Sequence, residues 1–280
     1  MKQSHSSIST FINCQKLYKY LYVDKIKLKE NEHMRLGTLV HLVLSDWSKL
    51  PSEELYLDLK QYFEINSWNN YFNQIKSQLD LLLNNYDVLY RELPLETEEL
   101  KGIIDLVLRD KTTGRILLID YKTSFRSRSI TELLYDQQLY LYVYLYHVCK
   151  KEPITNISIG IITIPKEEIG PPALLKNGTL SKNKNQNTTE ELYLEAIKLN
   201  NLNKEDYLDI LEFFSNKKYI EFIESPLNIS LFVNIIKNTE NAIKMINYAE
   251  EHNIFLVNHS YLHLDCDCVK ISKLKGEFNE

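Results

Sequence analysis

Two side chains of opposite charge, Asp120 and Lys122, stand two positions apart in a segment predicted to be a strand. Side chains at that spacing leave the same face of a strand, so we expect the carboxylate and the ammonium to lie side by side. A polar turn at 110–114 predicts a hairpin in which the numbers of paired residues sum to 225, which places Asp105 opposite Asp120. Two carboxylates about 5 Å apart repel each other unless a cation lies between them or one takes a proton. The set therefore predicts metal-dependent phosphodiester hydrolysis, with Lys122 positioning or deprotonating the attacking water.

The elements that must position these residues follow from the spacing of apolar side chains. Hydroxyl caps and a helical apolar repeat predict a first helix that begins at Ser7, and a second repeat over 36–47 places His41 off the centre of its apolar stripe. In chain order, the remaining predicted elements are a helix at 72–86, strands at 91–95, 100–109 and 115–123, a helix at 130–149, a strand at 154–164, and helices at 190–200, 204–217 and 228–251.

This order of helices, three strands, helix and strand predicts an α/β fold with a mixed sheet flanked by helices. We expect a single domain over 1–280, with a helical N-terminal part at 1–90 and a sheet core at 91–165. A polar stretch without apolar periodicity predicts a mobile loop at 166–190, and a helical extension with a cysteine-containing tail follows at 191–280.

Composition excludes several classes of protein. Four cysteines in 280 residues exclude a disulfide-dense miniprotein, and the seven glycines and seven prolines argue against an all-β fold with many tight turns. The sequence shows neither a leader pattern at its start nor an apolar run of membrane-spanning length, so we expect a cytoplasmic protein with no membrane association. The net charge of −5 excludes a general polycation, although the stretches 1–30 and 101–128 are each locally +4. Such a basic stretch fits either a polyanion site or a solvated face.

Four short motifs occur in one order along the chain. Gly102-Ile103-Ile104-Asp105 and Ile119-Asp120-Tyr121-Lys122-Thr123 carry the two carboxylates and the lysine, Gly37-Thr38-Leu39-Val40-His41 precedes them, and Gln138-Leu139-Tyr140-Leu141-Tyr142 follows. Taken alone, a pair such as Asp120 and Lys122 also fits an exposed ion pair. Taken together, the motifs resemble those of the PD-(D/E)XK nuclease superfamily, in particular its RecB-like exonuclease branch from phages and bacteria, over a little more than half of the chain.

The resemblance implies a restriction-endonuclease-like PD-(D/E)XK core and a set of metal ligands. By resemblance, Asp105, Asp120 and His41 would bind one or two Mg²⁺ or Mn²⁺ ions, and Lys122 would serve the nucleophilic water. A histidine ligand favours Mn²⁺, because imidazole is softer than the oxygen shell that Mg²⁺ prefers. Glu92 stands where relatives often carry a glutamate, and we treat it as a second-tier candidate.

Further residues are implied to contact the reaction or the DNA. Gln138, for which Gln137 is an alternative register, and Tyr142 would line the active site or touch the DNA backbone. Arg126 and Arg128 alternate just after the lysine motif and are candidates for binding phosphates of the entering strand. Solvated arginines on a loop are the alternative interpretation.

The cysteines match the family incompletely. Several RecB-like relatives carry a [4Fe-4S] cluster whose first cysteine follows the N-terminal helix, a position that Cys14 matches, and whose other three form a C-terminal group. Here that group is reduced to Cys266 and Cys268, so a cluster with a non-cysteine ligand, a Zn²⁺ site completed by His263, and free thiols all remain open. We expect Cys149 to be a small core residue.

The function implied is that of a metal-dependent DNA nuclease, favoured as an exonuclease, in DNA recombination, repair or replication. Its partners would be single-stranded DNA or duplex ends, with a helicase or recombination protein as a further candidate. The loop at 176–190 resembles a region of phage members and would form a flap over the DNA, or an insertion without function. A structure-specific DNA endonuclease and a catalytically weak DNA-binding accessory subunit remain alternatives.

Overall fold

A single mixed sheet lies at the centre of the chain. The computed structural model describes residues 1–28, 32–46, 57, 65–124, 126–166, 168–256 and 266–275. The strands of these residues, which lie in the sheet in chain order, are β1 (Tyr86–Glu96), β2 (Lys101–Asp110), β3 (Ile116–Ser124), β4 (Ile157–Pro165) and β5 (Glu221–Pro226). Neighbouring strands are antiparallel except β3 and β4, which are parallel. The predicted α/β class with a mixed sheet is confirmed.

Helices cover both faces of this sheet. In the described parts of the chain they are α1 (His5–Asn13), α2 (Gln15–Tyr18), α3 (Glu32–Ser45), α4 (Ile65–Leu83), α5 (Ile130–Leu134), α6 (Gln137–Lys150), α7 (Glu190–Leu199), α8 (Leu208–Ser215), α9 (Ile229–His252) and α10 (Asp267–Leu274). A π-helical turn follows α2 at Lys19–Val23, and 3₁₀ turns occur at Ile154–Asn156 and Lys204–Tyr207. None of the helices among these residues is long and apolar enough to cross a membrane.

The central strand β3 shows why the sheet needs both layers. Leu118 packs in a core with α1, α6 and α9, whereas its neighbours Leu117 and Ile119 pack in a second core with α3 and α4. Successive side chains of a strand point to opposite faces, so an unbroken run of apolar residues is stable only when both faces are covered. The carboxylate of Asp120 continues this run and is drawn into the interior with it.

Two segments predicted as single helices, the first apolar repeat at 7–22 and the segment at 130–149, are helical but are each divided in two, and a residue at the break caps the second helix. The first is divided at Cys14, whose extended backbone (φ −158°) ends α1. The Cys14 thiol accepts a hydrogen bond from the amide of Leu17 and so caps α2. The second breaks after Leu134, and the Asp136 carboxylate accepts the amides of Gln138 and Leu139 at the start of α6. A capping side chain competes with the continuing helix for these amides, which apolar periodicity does not reveal.

Smaller differences occur at the edges of the elements. Tyr86 begins β1 instead of ending the preceding helix, and the edge strand β5 and the helix α10 were not predicted. Cys149 is exposed on α6 and is not a core residue. Trp47, placed in the second predicted helix, lies outside the described residues.

The polar segment predicted as a loop is irregular but has buried anchors. Leu180 packs with Tyr193 and Tyr207 against α7 and α8, and Thr188 and Thr189 are buried at its end. The Tyr207 hydroxyl accepts the amide of Leu180 at 3.1 Å. The division of the chain into the predicted parts stays a prediction.

Candidate active site

The hairpin of β2 and β3 brings Asp105 and Asp120, which were predicted to face each other, to one end of the sheet. The paired residues run from Leu106 opposite Ile119 to Arg109 opposite Ile116, so the register that sums to 225 is confirmed for these pairs. One step beyond them, Asp105 Oδ2 accepts the backbone amide of Tyr121 at 2.6 Å. This bond fixes the Asp105 carboxylate against the backbone that carries Asp120.

A chain of polar contacts leads away from Asp120 across to α6. Lys122 Nζ lies 2.6 Å from Asp120 Oδ2 and donates to Gln138 Oε1 at 2.9 Å. Gln138 Nε2 in turn donates to Tyr142 Oη at 2.6 Å. Gln138 is therefore the glutamine that contacts Lys122, while Gln137, the alternative match to the motif, is exposed. The Asp136 cap fixes where α6 begins, and with that start the side chain of Gln138 lies on the side of the helix that faces Lys122.

His41 reaches the site because α3 approaches β3 closely. A Cβ at Gly37 would lie 3.3 Å from Thr123 Oγ1, so the absence of a side chain there lets the helix pack against the strand. One turn later, His41 Nε2 donates to the Tyr121 carbonyl oxygen at 3.1 Å, and its Nδ1 lies 3.5 Å from Asp105 Oδ1. A neutral ring that donates from Nε2 presents the Nδ1 lone pair to a carboxylate, an arrangement that only a proton or a metal ion relieves.

Glu92, the second-tier candidate of the sequence, lies close to His41 and Asp105. His41, Glu92 and Asp105 each offer a ligand atom within 4.8 Å of the others, whereas the predicted ligand Asp120 is paired with Lys122 beside this group. Glu92 has φ +46° although it lies within β1. A non-glycine residue in the left-handed region is strained, and such strain persists where the surrounding structure holds a side chain in a required position.

The electrostatics of the site favour an added positive charge. Burial, together with the nearby Asp105 carboxylate, raises the pKa of Asp120 to about 7 although the Lys122 ammonium opposes the shift. Burial disfavours the charged form of His41, but the Asp105 carboxylate, followed by Asp120 and Glu92, outweighs it and raises the pKa of His41. Both groups thus hold protons more tightly than usual, Asp120 mainly because it is buried, and His41 because the carboxylates of Asp105, Asp120 and Glu92 lie near it.

Two substitutions at Glu92 distinguish the effect of its backbone strain on stability from the effect of its carboxylate on metal binding. We expect Glu92→Gly to be more stable than Glu92→Ala by about 1 kcal/mol, because glycine adopts a positive φ without a steric penalty. Both variants lose the carboxylate, so both should show the same reduced affinity for Mn²⁺ by calorimetry. Equal stability of the two variants in urea unfolding would show that the backbone at this position is not strained.

The sequence of the chain matches a known protein family. Residues 2–212 match the sequence model of the PD-(D/E)XK nuclease superfamily, which is more than half of the chain. The chain belongs to the PD-(D/E)XK nuclease superfamily. The matched range contains His41, Glu92, Asp105, Asp120 and Lys122, and the nuclease class predicted from the motifs is supported at the level of the superfamily.

Solved structures with some likeness to this PD-(D/E)XK chain include two from bacteria. A candidate exonuclease of Eubacterium rectale shares 12% identity at a TM-score of 0.39, with 75% of this chain and 81% of that chain covered. A phage-related exonuclease of Haemophilus somnus 129PT shares 14% identity at a TM-score of 0.36, with 91% and 97% covered. No curated protein matches the chain.

The two predicted phosphate-binding arginines of this PD-(D/E)XK chain converge on one carboxylate. Arg126 Nη2 lies 2.6 Å from Glu132 Oε1, and Arg128 Nη1 lies 3.2 Å from the same oxygen. Hydrogen bonds from Arg126 and from the Ser129 amide lower the pKa of Glu132 to about 2, so this acid stays charged. A phosphate that binds either arginine must therefore compete with Glu132.

Three of the four cysteines, Cys14, Cys266 and Cys268, lie close together in the structure. The thiols of Cys14, Cys266 and Cys268 all lie within 4.8 Å of one another, and α10 packs on α2 beside them. Burial raises the pKa of the Cys14 and Cys268 thiols. The described residues thus supply three of the four ligands that Zn²⁺ or a [4Fe-4S] cluster takes, and His263 lies outside them.

A metal at these thiols stays a prediction, which Cys14→Ser tests without loss of the helix cap. Serine accepts the Leu17 amide as the thiol does, so a change in the variant reports the lost sulfur ligand. We expect zinc or iron content to fall and the melting temperature to drop by several degrees, with Cys149→Ser as the matched exposed control. Unchanged metal content and melting temperature would reject the site.

Proposed function

We propose that the chain is a divalent-metal-dependent deoxyribonuclease that acts on DNA ends. The observation that carries the proposal is the convergence of His41, Glu92, Asp105 and Asp120 on one side of Lys122. The exonuclease mode and a role in recombination, repair or replication are supported by the resemblance of the motifs to the RecB-like branch. A helicase or recombination protein as partner, and a cytoplasmic location, belong to the same proposal.

The residues fit a hard divalent cation. The Asp105 and Glu92 carboxylates and the Nδ1 lone pair of His41 are close enough to share one ion, and the buried Asp120 carboxylate lies beside them, 2.6 Å from Lys122. We infer that these four residues hold Mg²⁺ or Mn²⁺, with the imidazole favouring Mn²⁺. A bound ion would supply Lewis-acid activation of water and of the phosphate.

Lys122 is the group of the chain that acts on the nucleophile. Its ammonium is fixed between Asp120 and Gln138, so its remaining proton is free to orient a water molecule and to offset charge developing on the phosphate. Burial raises the pKa of Tyr142, so its hydroxyl keeps its proton and anchors Gln138. The proposed catalytic set is therefore Asp105, Asp120 and Lys122, with Gln138 and Tyr142 positioning the lysine.

Groups outside the site are proposed to guide the strand. Arg126 and Arg128 would bind phosphates after displacing Glu132, and the segment 176–190 would lie over the DNA as a flap. The resemblance to phage members supports the flap, while the position of the arginines in the segment between the end of β3 and α5, four and six residues after Lys122, supports the phosphate contacts.

The test is digestion of labelled DNA with Mn²⁺ or Mg²⁺. End-labelled linear duplex, single strands and closed circles are compared, with Asp120→Asn and EDTA as controls. We expect stepwise loss from the ends, absent in both controls, and stronger activity with Mn²⁺. Cutting of closed circles would replace the exonuclease proposal with an endonuclease, and DNA binding without any cleavage would favour an accessory subunit.

A further inference from the structure

A cleft opens directly beside the candidate catalytic residues. It has a volume of about 710 Å³ and runs between the first turn of α1, the facing ends of β1 and β2, and one side of α6. Asp105, Gln138 and Tyr142 line it, so the cleft and the candidate metal site share a wall. Leu141 and Leu145, one and two turns along α6, form an apolar floor. The volume is within the range of about 300–1,000 Å³ typical of sites for small organic groups.

On one side of the cleft, β2 packs closely against α6. A Cβ at Gly102 would lie 3.0 Å from both Tyr142 Cε1 and Leu145 Cδ1, so β2 approaches the floor only because residue 102 has no side chain. Across the opening, Gln3 is fully buried and its backbone bonds to Glu99 and Lys101 join the start of the chain to β2. The rim is thus fixed before any ligand binds.

The polar side of the cleft comes from the first turn of α1. Ser4 and Ser7 cap each other there, and His5 and Ser6 face the opening. Burial lowers the pKa of His5, which keeps its ring uncharged near neutral pH. An apolar floor, a flat neutral ring and hydroxyl groups together match a nucleobase, whose faces are apolar and whose edges form hydrogen bonds.

We propose that this cleft binds an unpaired nucleobase of the strand that is cut, next to the scissile phosphate. The inference rests on the proposed function and names its substrate as DNA with unpaired nucleotides at the cleaved end. A base inside a duplex is stacked and paired, so it must be extruded before it enters such a cleft, at an expense of a few kcal/mol. Base-paired ends are therefore cut more slowly than single strands.

The test uses single-stranded oligonucleotides in which an abasic tetrahydrofuran replaces one base at successive positions. Binding is measured by fluorescence anisotropy with Asp120→Asn, so that the DNA stays intact. We expect one position at which the abasic residue weakens binding by about 5- to 100-fold, the value of one stacked base. Ser6→Trp, which fills the cleft from an exposed position, should abolish this penalty.

Two further variants keep the test decisive. Ser9→Trp, one turn along α1 and outside the cleft, should retain the abasic penalty, and Ile103→Ala, which removes a half-exposed lining side chain, should reduce it. A penalty equal at all positions, or unaffected by both Ser6→Trp and Ile103→Ala, overturns the inference.

Cleavage by the wild-type protein distinguishes this inference from the proposed function. Cleavage together with an equal abasic penalty at all positions rejects base binding in the cleft alone. A position-specific penalty without cleavage rejects the nuclease activity alone. Equal rates on paired and unpaired ends would also reject the cleft.

Discussion

Asp120→Asn is expected to reduce DNA cleavage by about 1,000-fold or more, since Asp120 is a proposed metal ligand and loss of a charged ligand removes several kcal/mol of transition-state stabilisation. The side chain is buried and its carboxylate lies 2.6 Å from Lys122, so asparagine fills the same space with little change in packing. The variant should fold normally but gain much less thermal stability from added Mn²⁺ than the wild type does.

The same substitution should change how the stability of the metal-free protein depends on pH. The pKa of Asp120 is about 7 in the folded protein against an ordinary value of 3.8. A carboxyl with a raised pKa binds its proton more tightly when folded, so its stabilising effect is complete below the ordinary pKa and is lost as pH rises through the folded one. In EDTA, the free energy of unfolding of the wild type should therefore decrease as the pH rises from about 4 to about 7. The contribution of Asp120 to this decrease should be missing in Asp120→Asn.

A matched control for this prediction is Asp80→Asn. Asp80 pairs with Lys76 at the same distance of 2.6 Å, but on the exposed surface of α4. Its loss should change neither cleavage nor the pH profile, because exposed pairs contribute little. Parallel pH profiles for the wild type and Asp120→Asn would show that burial does not shift this carboxylate.

The part of the site that the sequence predicts is the part fixed by local geometry. A two-residue repeat and a polar turn are enough to place Asp120 and Lys122 on one face and to set the β2–β3 register. Helical spacing likewise places Gln138 one turn from Tyr142 on α6. These relations depend on backbone repeats that hold in any protein.

The rest depends on contacts between distant segments. Glu92 joins the site through a left-handed backbone conformation inside a strand, which no alternation of residue types predicts. Cys14 ends one helix and caps the next, so a thiol that matches a motif also breaks the predicted helix. The edge strand β5 has exposed and half-buried residues and therefore shows no strong apolar pattern. In each case tertiary context overrides a local preference.

Lys122→Met is expected to lower cleavage by about 100- to 10,000-fold even at saturating Mn²⁺, the range for loss of a group that acts on the nucleophile or on the charge of the transition state. Methionine keeps much of the length and the apolar stem of lysine, so Gln138 and Tyr142 keep their packing. The rate is measured on single-stranded DNA across a Mn²⁺ titration, with Lys76→Met of the exposed pair as control. A variant whose activity returns at high Mn²⁺ would show that Lys122 affects the occupancy of the metal site and not the nucleophile.

The double variant Asp120→Asn/Lys122→Met distinguishes a charge pair from two independent groups. Lys122→Met leaves the buried Asp120 carboxylate without its ammonium partner, which costs several kcal/mol unless the acid takes a proton. Asp120→Asn removes that charge, so the double variant should be more stable at neutral pH than Lys122→Met alone, as urea unfolding in EDTA can measure. The cleavage rate of the double variant should be no lower than that of the less active single variant, because the effects of residues that act as one unit do not add. Additive losses in both stability and rate would mean that the contact of 2.6 Å between the two side chains carries no functional coupling.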